Sequence, residues 1–444
     1  MELHQFEPEK RGSWKDSILL KSAIIMALSL MLLIPIAMVM VLVEERTSRQ
    51  RDAIEEVSKK WSNSQTLTGP MIAIPMKTGG EYLYILPKEL KITSDVNAST
   101  RQRGIFPVTV YSSNVQFSGS FEPFDQTILP VSPDSLNIQA AKLIMGIGDL
   151  RGVQSISEAT LGGTALSFNP GIPDGALPVN ATTMGSKNPN SGVQTNVPLS
   201  LLGSNSLAFN IKSNIKGSES LHFVPIGKHT TLHMRSNWSS PSFTGDFLPT
   251  NSKIGNGYEA DWEVSDINRN YPQVWVGHNY VINDSAFGVD LLSPLTNYQQ
   301  TLRSAKYAVL MIALTFVAFF LMEIAKVLSL HPLQYGLVGL ALIIFYTLLL
   351  SLSERIDFEW SYLIAGTATT VLVSMYIWSV SRQLKATLIT LFVLISMYSL
   401  VYFIIQSEDQ ALLLGSIVLF VVVAIMMYFT RRIRWGALST GAQV

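Results

Sequence analysis

Apolar positions fall along this chain in two textures. One stretch near the N-terminus and five in the C-terminal third are continuous apolar runs with few or no charges. Between them, residues 44–302 carry short apolar runs that alternate with Gly, Pro, Asn and Ser clusters. Residues 22–43 hold no charge, and at 1.5 Å per residue they cover about 33 Å, enough for a bilayer core. A cleaved signal peptide has a shorter apolar region of about 7–15 residues. This run ends instead in Glu44-Glu45-Arg46, which predicts an uncleaved anchor with a kink at Pro35. The other runs, residues 307–328, 333–352, 362–379, 387–405 and 411–429, predict five further spans.

The resulting expectation is a membrane α-helical protein with six transmembrane helices and a large all-β or β-rich domain. Its segments are a cytoplasmic N-terminal piece (1–21), an anchor (22–43), an exported domain (44–302), a five-helix bundle (303–429) and a basic tail (430–444). Orientation follows from basic residues in the short connections. Lys326, Arg382, Lys385, Arg431, Arg432 and Arg434 fall at alternate span ends, whereas the other ends hold Arg355 among Glu354, Asp357, Glu359, Glu408 and Asp409. The basic side is cytoplasmic by this rule. Both termini are then cytoplasmic, and residues 44–302 lie outside.

Residues 44–64 predict a continuation of the first helix, with Ile54, Val57 and Trp61 as a narrow stripe. After Gly69-Pro70, runs such as residues 71–76, 82–86, 106–112 and 221–224 predict short strands of a sandwich or barrel-like architecture. Residues 162–198 read as a long loop or lobe connector. The segment F-[ST]-G-x-F-x-P occurs at 117–123 and again at 243–249. A duplicated β lobe would explain the echo, as would coincidence between two strand-turn segments. Trp238, Trp262 and Trp275 lie close in sequence and read as core, although aromatic residues serve binding surfaces as well.

The chain is 14% charged, below the roughly 25% of soluble domains, as spans require. Residues 44–302 hold 19 Lys and Arg against 22 Asp and Glu, so no basic patch invites nucleic acid. The absence of cysteine excludes disulfides, thiolate metal sites and a Cys nucleophile. His229 and His233 share strand parity but would stand about 13 Å apart, too far for one metal. No catalytic, cofactor-binding or metal residue is expected. Asn97, Asn180, Asn237 and Asn283 begin N-x-[ST] triplets to which no role is assigned.

Two polar clusters flank the predicted bundle. Glu323 and Lys326 lie at i, i+3 near one span end, followed by His331, Gln334 and Tyr335. An acid at membrane depth is a functional candidate by default, and an interfacial Glu323–Lys326 pair that anchors the helix end is the structural reading. Glu354, Asp357 and Glu359 lie about 30 Å away at the opposite edge and cannot share that site. They are expected to meet the exported domain or solvent. No predicted span carries a mid-depth charge, which argues against an ion-coupled transporter. Ala365, Gly366, Thr369 and Thr370 have the small-xxx-small spacing of tight helix packing.

Three blocks resemble a known family. The first runs from Pro241 through Phe243-Thr244-Gly245-Asp246-Phe247-Leu248-Pro249 to Trp262 and Tyr271-Pro272-Gln273-Val274-Trp275. The second is Phe287-Gly288-Val289-Asp290, with Tyr298, Arg303, Lys306-Tyr307 and Phe319-Phe320-Leu321-Met322-Glu323. The third is His331-Pro332-Leu333-Gln334-Tyr335-Gly336 through Leu340, Phe345-Tyr346 and Ser351-Leu352-Ser353-Glu354. Together they resemble the CreD family of inner-membrane proteins, also described as cell envelope integrity proteins. That family often has His after the acid at Glu354, where this chain has Arg355, so a titrating pair is not carried over. The resemblance implies a Gram-negative inner membrane, a periplasmic domain, and a role in envelope integrity or stress response. The leading expectation is a non-enzymatic protein, bilayer-embedded and without cofactor, whose periplasmic domain binds an envelope component or partner. The alternative is a membrane enzyme or lipid-handling protein working at Glu323, His331 and Gln334.

Overall fold

The structure is a computed structural model, and it describes residues 18–123, 129–179, 191–202, 207–291, 297–407 and 411–431. The cytoplasmic segment 1–17, Asn180, the acids Glu408 and Asp409, and Arg432 with the rest of the basic tail lie outside the described residues. The chain divides into two compact units, Met1–Arg49 with Leu295–Val444, and Gln50–Pro294.

The first unit is helical. Its helices are α1 (Ile18–Met31) and the beginning of α2 (Leu33–Trp61), then, past the short α3 (Leu199–Leu202) of the other unit, α4 (Asn297–Lys306), α5 (Ala308–Ile324), α6 (Pro332–Ser353), α7 (Phe358–Ser381), α8 (Leu384–Gln406) and α9 (Ala411–Thr430). Among the described residues, four stretches are long and apolar enough to cross a membrane: Ala23–Trp61, α6, α7 and α8. The bent pair of α4 and α5, 42° apart, makes a fifth if it counts as one span. The break between α1 and α2 falls at Leu32. Pro35, three residues on, has no N–H to offer the Met31 carbonyl, and the helix is interrupted there. Leu32 is buried, and a side chain on Gly339 of α6 would collide with it. Gly339 is therefore where the first span approaches α6 closely.

The second unit is β-rich. Its strands are β1 (Gln65–Pro75), β2 (Tyr82–Ile85), β3 (Glu89–Arg103), β4 (Phe106–Phe121), β5 (Lys142–Ile147), β6 (Val153–Leu161), β7 (Thr164–Ala165), β8 (Asn169–Pro170) and β9 (Gly192–Asn196). They continue with β10 (Leu207–Ser218), β11 (Ser220–Phe223), β12 (His229–Ser236), β13 (Pro241–Gly245), β14 (Asn251–Ile254), β15 (Tyr258–Ser265), β16 (Val274–Val276) and β17 (Phe287–Leu291). One sheet has the order β13-β17-β11-β1-β5-β9-β8, with β2 and β16 attached through β1. The other runs β14-β15-β12-β3-β4-β10-β6-β7. Alternation sets their shared core: β3 buries Leu90, Ile92, Ser94 and Val96, and β15 buries Tyr258, Ala260, Trp262 and Val264. The apolar members of both sets join one hydrophobic cluster with Leu67, Ile72 and Phe287 of the other sheet.

Among the described strands the parallel pairs are β1 with β11 and β3 with β12. Each sits mid-sheet and has matching neighbours: β17-β11-β1-β5 in one sheet, β15-β12-β3-β4 in the other. The sequence echo does not trace this correspondence. Phe117 to Phe121 end β4, which lies inside one sheet between β3 and β10. Phe243 to Gly245 lie in β13, the edge of the other sheet, paired with β17.

The described parts of the stretch 162–198, residues 162–179 and 191–198, hold more strand than their composition suggests. Gly192–Asn196 forms β9 inside a sheet, between β5 and β8, because its backbone supplies the pairing that its small polar side chains do not advertise. The first helix ends at Trp61 instead of running to residue 64. Its buried positions there are Gln50, Ala53 and Ser58, with Ile54, Val57 and Trp61 half-buried.

Candidate functional site

The α5–α6 corner holds the first polar cluster. Pro332 occupies the first turn of α6, where its missing N–H costs nothing. His331 caps that helix: its Nδ1 accepts from the Leu333 amide at 3.3 Å, and the Gln334 Oε1 accepts from the His331 amide at 2.7 Å. This reciprocal capping box commits His331 and Gln334 to starting the helix. Tyr335 is fully buried, with Phe316 and Phe319 edge-on at 5.5 and 6.1 Å between ring centres. Its hydroxyl donates to Glu323 Oε2 at 3.1 Å. Lys326 lies beyond the end of α5 at Ile324, with a left-handed φ of 55° and its amide on the Glu323 carbonyl. The one-turn helical spacing assumed for Glu323 and Lys326 therefore stops short of the lysine. Tyr335 is one group that the fold brings to the carboxylate.

The second cluster lies at the far end of α6, whose 22 residues span about 33 Å. Glu354 ends α6 and meets Arg46 of α2, Nε to Oε1 at 3.5 Å. Asp357 stands at the N-cap position of α7, and Glu359 in its first turn, where the helix dipole favours negative charge.

Between these ends the helices pack on aromatic residues. Phe345 lies 4.7 Å from the Tyr398 ring centre and 5.3 Å from that of Tyr362. The Tyr362 hydroxyl donates to the Tyr398 carbonyl at 2.9 Å. Ala365, Gly366, Thr369 and Thr370 are buried, so the small residues serve packing inside the bundle. Thr369 returns its hydroxyl to the Ala365 carbonyl.

A cavity of about 990 Å³ in the β unit lies where the end of α2 meets the sheets, with Arg51, Ile54, Lys59, Asp149, Arg151 and Ser218 in its walls. Asp149 is its hub. The carboxylate accepts from the Asn63 amide at 2.9 Å and from Arg151 Nε and Nη2 at 2.9 and 2.6 Å. Burial pushes this carboxyl up, but the Arg151 and Asn63 hydrogen bonds outweigh burial and hold it below the usual range. Arg151 also donates to the Lys59 carbonyl. The buried Gln65 amide exchanges hydrogen bonds with the Asp149 backbone, donating to its carbonyl at 2.9 Å and accepting from its N–H at 3.1 Å. Ser218 donates to Ser62 O and contacts Ser58 Oγ, both at 2.8 Å. Gly152 must be glycine here, since a Cβ would strike the Lys216 carbonyl and the Gln65 amide. Trp61 lies between Arg101 and Lys216, 4.0 and 4.4 Å from its ring centre. The sequence reading missed this hub. Its only local sign is the polar Asp149-Leu150-Arg151 directly after the buried run of β5.

Among the described residues no group of three or more His, Asp or Glu could hold a metal. His229 lies 3.5 Å from Glu263, and His233 2.7 Å from Asp261, as cross-strand pairs on an open face. His222 differs. It is largely buried, with Nε2 2.9 Å from Thr244 Oγ1 and 3.5 Å from Asp290. Burial lowers its pKa and the Asp290 charge opposes that. Trp262 and Trp275 are core residues, and Trp238 packs partly buried against the same core. Trp262 Nε1 donates to the Phe247 carbonyl and its ring meets Phe243, so the second echo segment serves packing. Asn237 bonds both ways to the Ala98 backbone, and Asn283 is buried.

An apolar helical unit joined to a two-sheet β unit defines a membrane protein with one large β-rich insertion. The model of the family Inner membrane protein CreD matches residues 17–436. Inner membrane protein CreD of Escherichia coli (strain K12) is 31% identical over 427 residues, covering 92% of each chain. The chain belongs to the CreD family.

Proposed function

We propose that this is a non-enzymatic inner-membrane protein that supports envelope integrity, with its β unit in the periplasm binding an envelope component or partner protein. The observation that carries the reading is the division of polar groups. In the helical unit, His331 and Gln334 cap a helix and Tyr335 holds Glu323, while α6 is free of Asp, Glu, Lys and Arg throughout. The β unit has a cavity of about 990 Å³, lined by charged and polar groups on a fixed frame. The capping contacts of His331 and Gln334 favour a structural task there over the alternative of chemistry at Glu323, His331 and Gln334. Six spans, both termini cytoplasmic and the β unit periplasmic, complete the proposal. The supports are the positions of Lys326, Arg382, Lys385 and Arg431, and the 20 residues of α9. The matching neighbours of the two parallel strand pairs support two related β lobes.

Photo-crosslinking in intact cells tests the reading. A crosslinker at Arg51 or Lys59 in the cavity wall should capture a periplasmic or envelope component. Capture at Lys326 or His331 alone, with the cavity silent, would favour the helical unit as the working part.

A further inference from the structure

A groove of about 570 Å³ runs between α7 and α8. One end is polar. Glu359 and Trp360 start α7, Tyr402 lies opposite on α8, and Gln406 donates to the Tyr402 hydroxyl at 3.1 Å. Toward mid-helix the rims become apolar, with Leu363, Val371 and Ile395 exposed. The floor is Gly366, Thr370 and Tyr398, and Tyr398 lies 3.6 Å from where a Cβ on Gly366 would be. This groove is at the Glu359 end of the helices, away from the Glu323 corner. Both helices are long and apolar enough to cross a membrane, so lipid is the medium around the groove.

We propose that the α7–α8 groove holds one aminophospholipid, with an acyl chain along the apolar rims and its ammonium group on the Glu359 carboxylate. Three features choose this occupant. Glu359 is exposed at the mouth, and its negative charge attracts an ammonium and repels an anionic headgroup. Trp360 and Tyr402 are the side-chain types that settle at headgroup level. A partner helix fits less well, because close helix approach uses small residues and the exposed rims here are the bulky Leu363, Val371 and Ile395. The proposal is independent of what the β unit binds.

The full-length protein, purified in mild detergent, is offered phosphatidylethanolamine or phosphatidylglycerol with identical chains, and retained lipid is counted by native mass spectrometry. Wild type should retain the ethanolamine lipid about fivefold better, as one interfacial ion pair gives. Glu359→Gln should lose the preference and still retain lipid. Gly366→Leu should lose retention, and Ser399→Phe fills the groove from the other wall should the first variant fail to fold. In vesicles, the part of the fluorescence removed by Trp360→Phe should be quenched more by brominated phosphatidylethanolamine than by brominated phosphatidylglycerol. Equal retention of both lipids by wild type, or retention that survives both filling variants, overturns the proposal. So does disulfide dimerisation of Leu363→Cys in vesicles, which would seat a second copy on the groove.

Discussion

The hydroxyl of Tyr335 donates to the carboxylate of Glu323 across the α5–α6 corner, over 3.1 Å. The pair joins the last turn of one helix to the first turn of the next. Tyr335→Phe keeps the ring contacts with Phe316 and Phe319 and removes only the donor. It should cost about 1.5–3 kcal/mol, the range for a hydrogen bond to a charged group. Thermal unfolding in detergent measures this, and an unchanged midpoint would show that the contact adds nothing. Glu323→Gln keeps an acceptor and should cost less.

The cap on α6 separates structure from chemistry at His331. His331→Ser retains an N-cap oxygen and should leave stability near wild type. His331→Ala should lose about 1 kcal/mol. If Ser and Ala variants are equally stable but both lose the cellular phenotype, the imidazole has a chemical task and the capping account is incomplete.

Asp149 should make the β unit acid-sensitive. Its folded pKa lies below its unfolded value, so its stabilisation is present above the unfolded pKa and is lost as pH falls through the folded one. Asp149→Asn should cost about 2 kcal/mol near pH 7 and reduce the slope of stability against pH below about 4. Urea unfolding followed by near-ultraviolet circular dichroism reads both quantities. A variant with the wild-type acid slope would remove Asp149 from the account.

His222 acts in a milder window. Burial lowers its folded pKa from 6.5, so the unfolded chain takes up the proton first as pH falls. The neutral ring stabilises nothing extra above pH 6.5, and stability drops below it until the folded pKa is reached. Between pH 7 and 5.5, wild type should lose stability relative to His222→Gln. Parallel profiles for the two proteins would show that the ring is not held neutral.

Topology reporters fused after Ser200 and after Arg431 should report opposite sides of the membrane, the first periplasmic. Finding both on one side would remove the proposed orientation.

The sequence made the first span and the α6, α7 and α8 spans legible because a bilayer demands long uncharged runs, and β1, β2, β4 and β11 legible because β-branched and aromatic runs stop at turn residues. The capping box was legible in principle, since Pro332 and Gln334 hold the right positions. It was overlooked because histidine is not among the usual capping residues. The Asp149 hub was not legible, because Gln65 and Asp149 are 84 residues apart and meet only when β1 pairs with β5. The F-[ST]-G-x-F-x-P echo falls on strands that do not correspond between the two sheets. Its aromatics answer local packing needs in different sheets, while the corresponding strands β1 and β3, or β11 and β12, share no such string.

Glu219, at a left-handed φ of 62°, is the single residue between β10 of one sheet and β11 of the other. Cutting the chain there would leave Gln65–Ser218 with β1, β2 and β3 stripped of their partners β11, β16 and β12. Bare strand borders invite another chain. A fragment ending at Ser218 would therefore be a self-adhesive body, closing against a twin along the seams that its own C-terminal half normally fills. The covalent link through Glu219 replaces that encounter between molecules with one inside the molecule, so the seams close at any dilution.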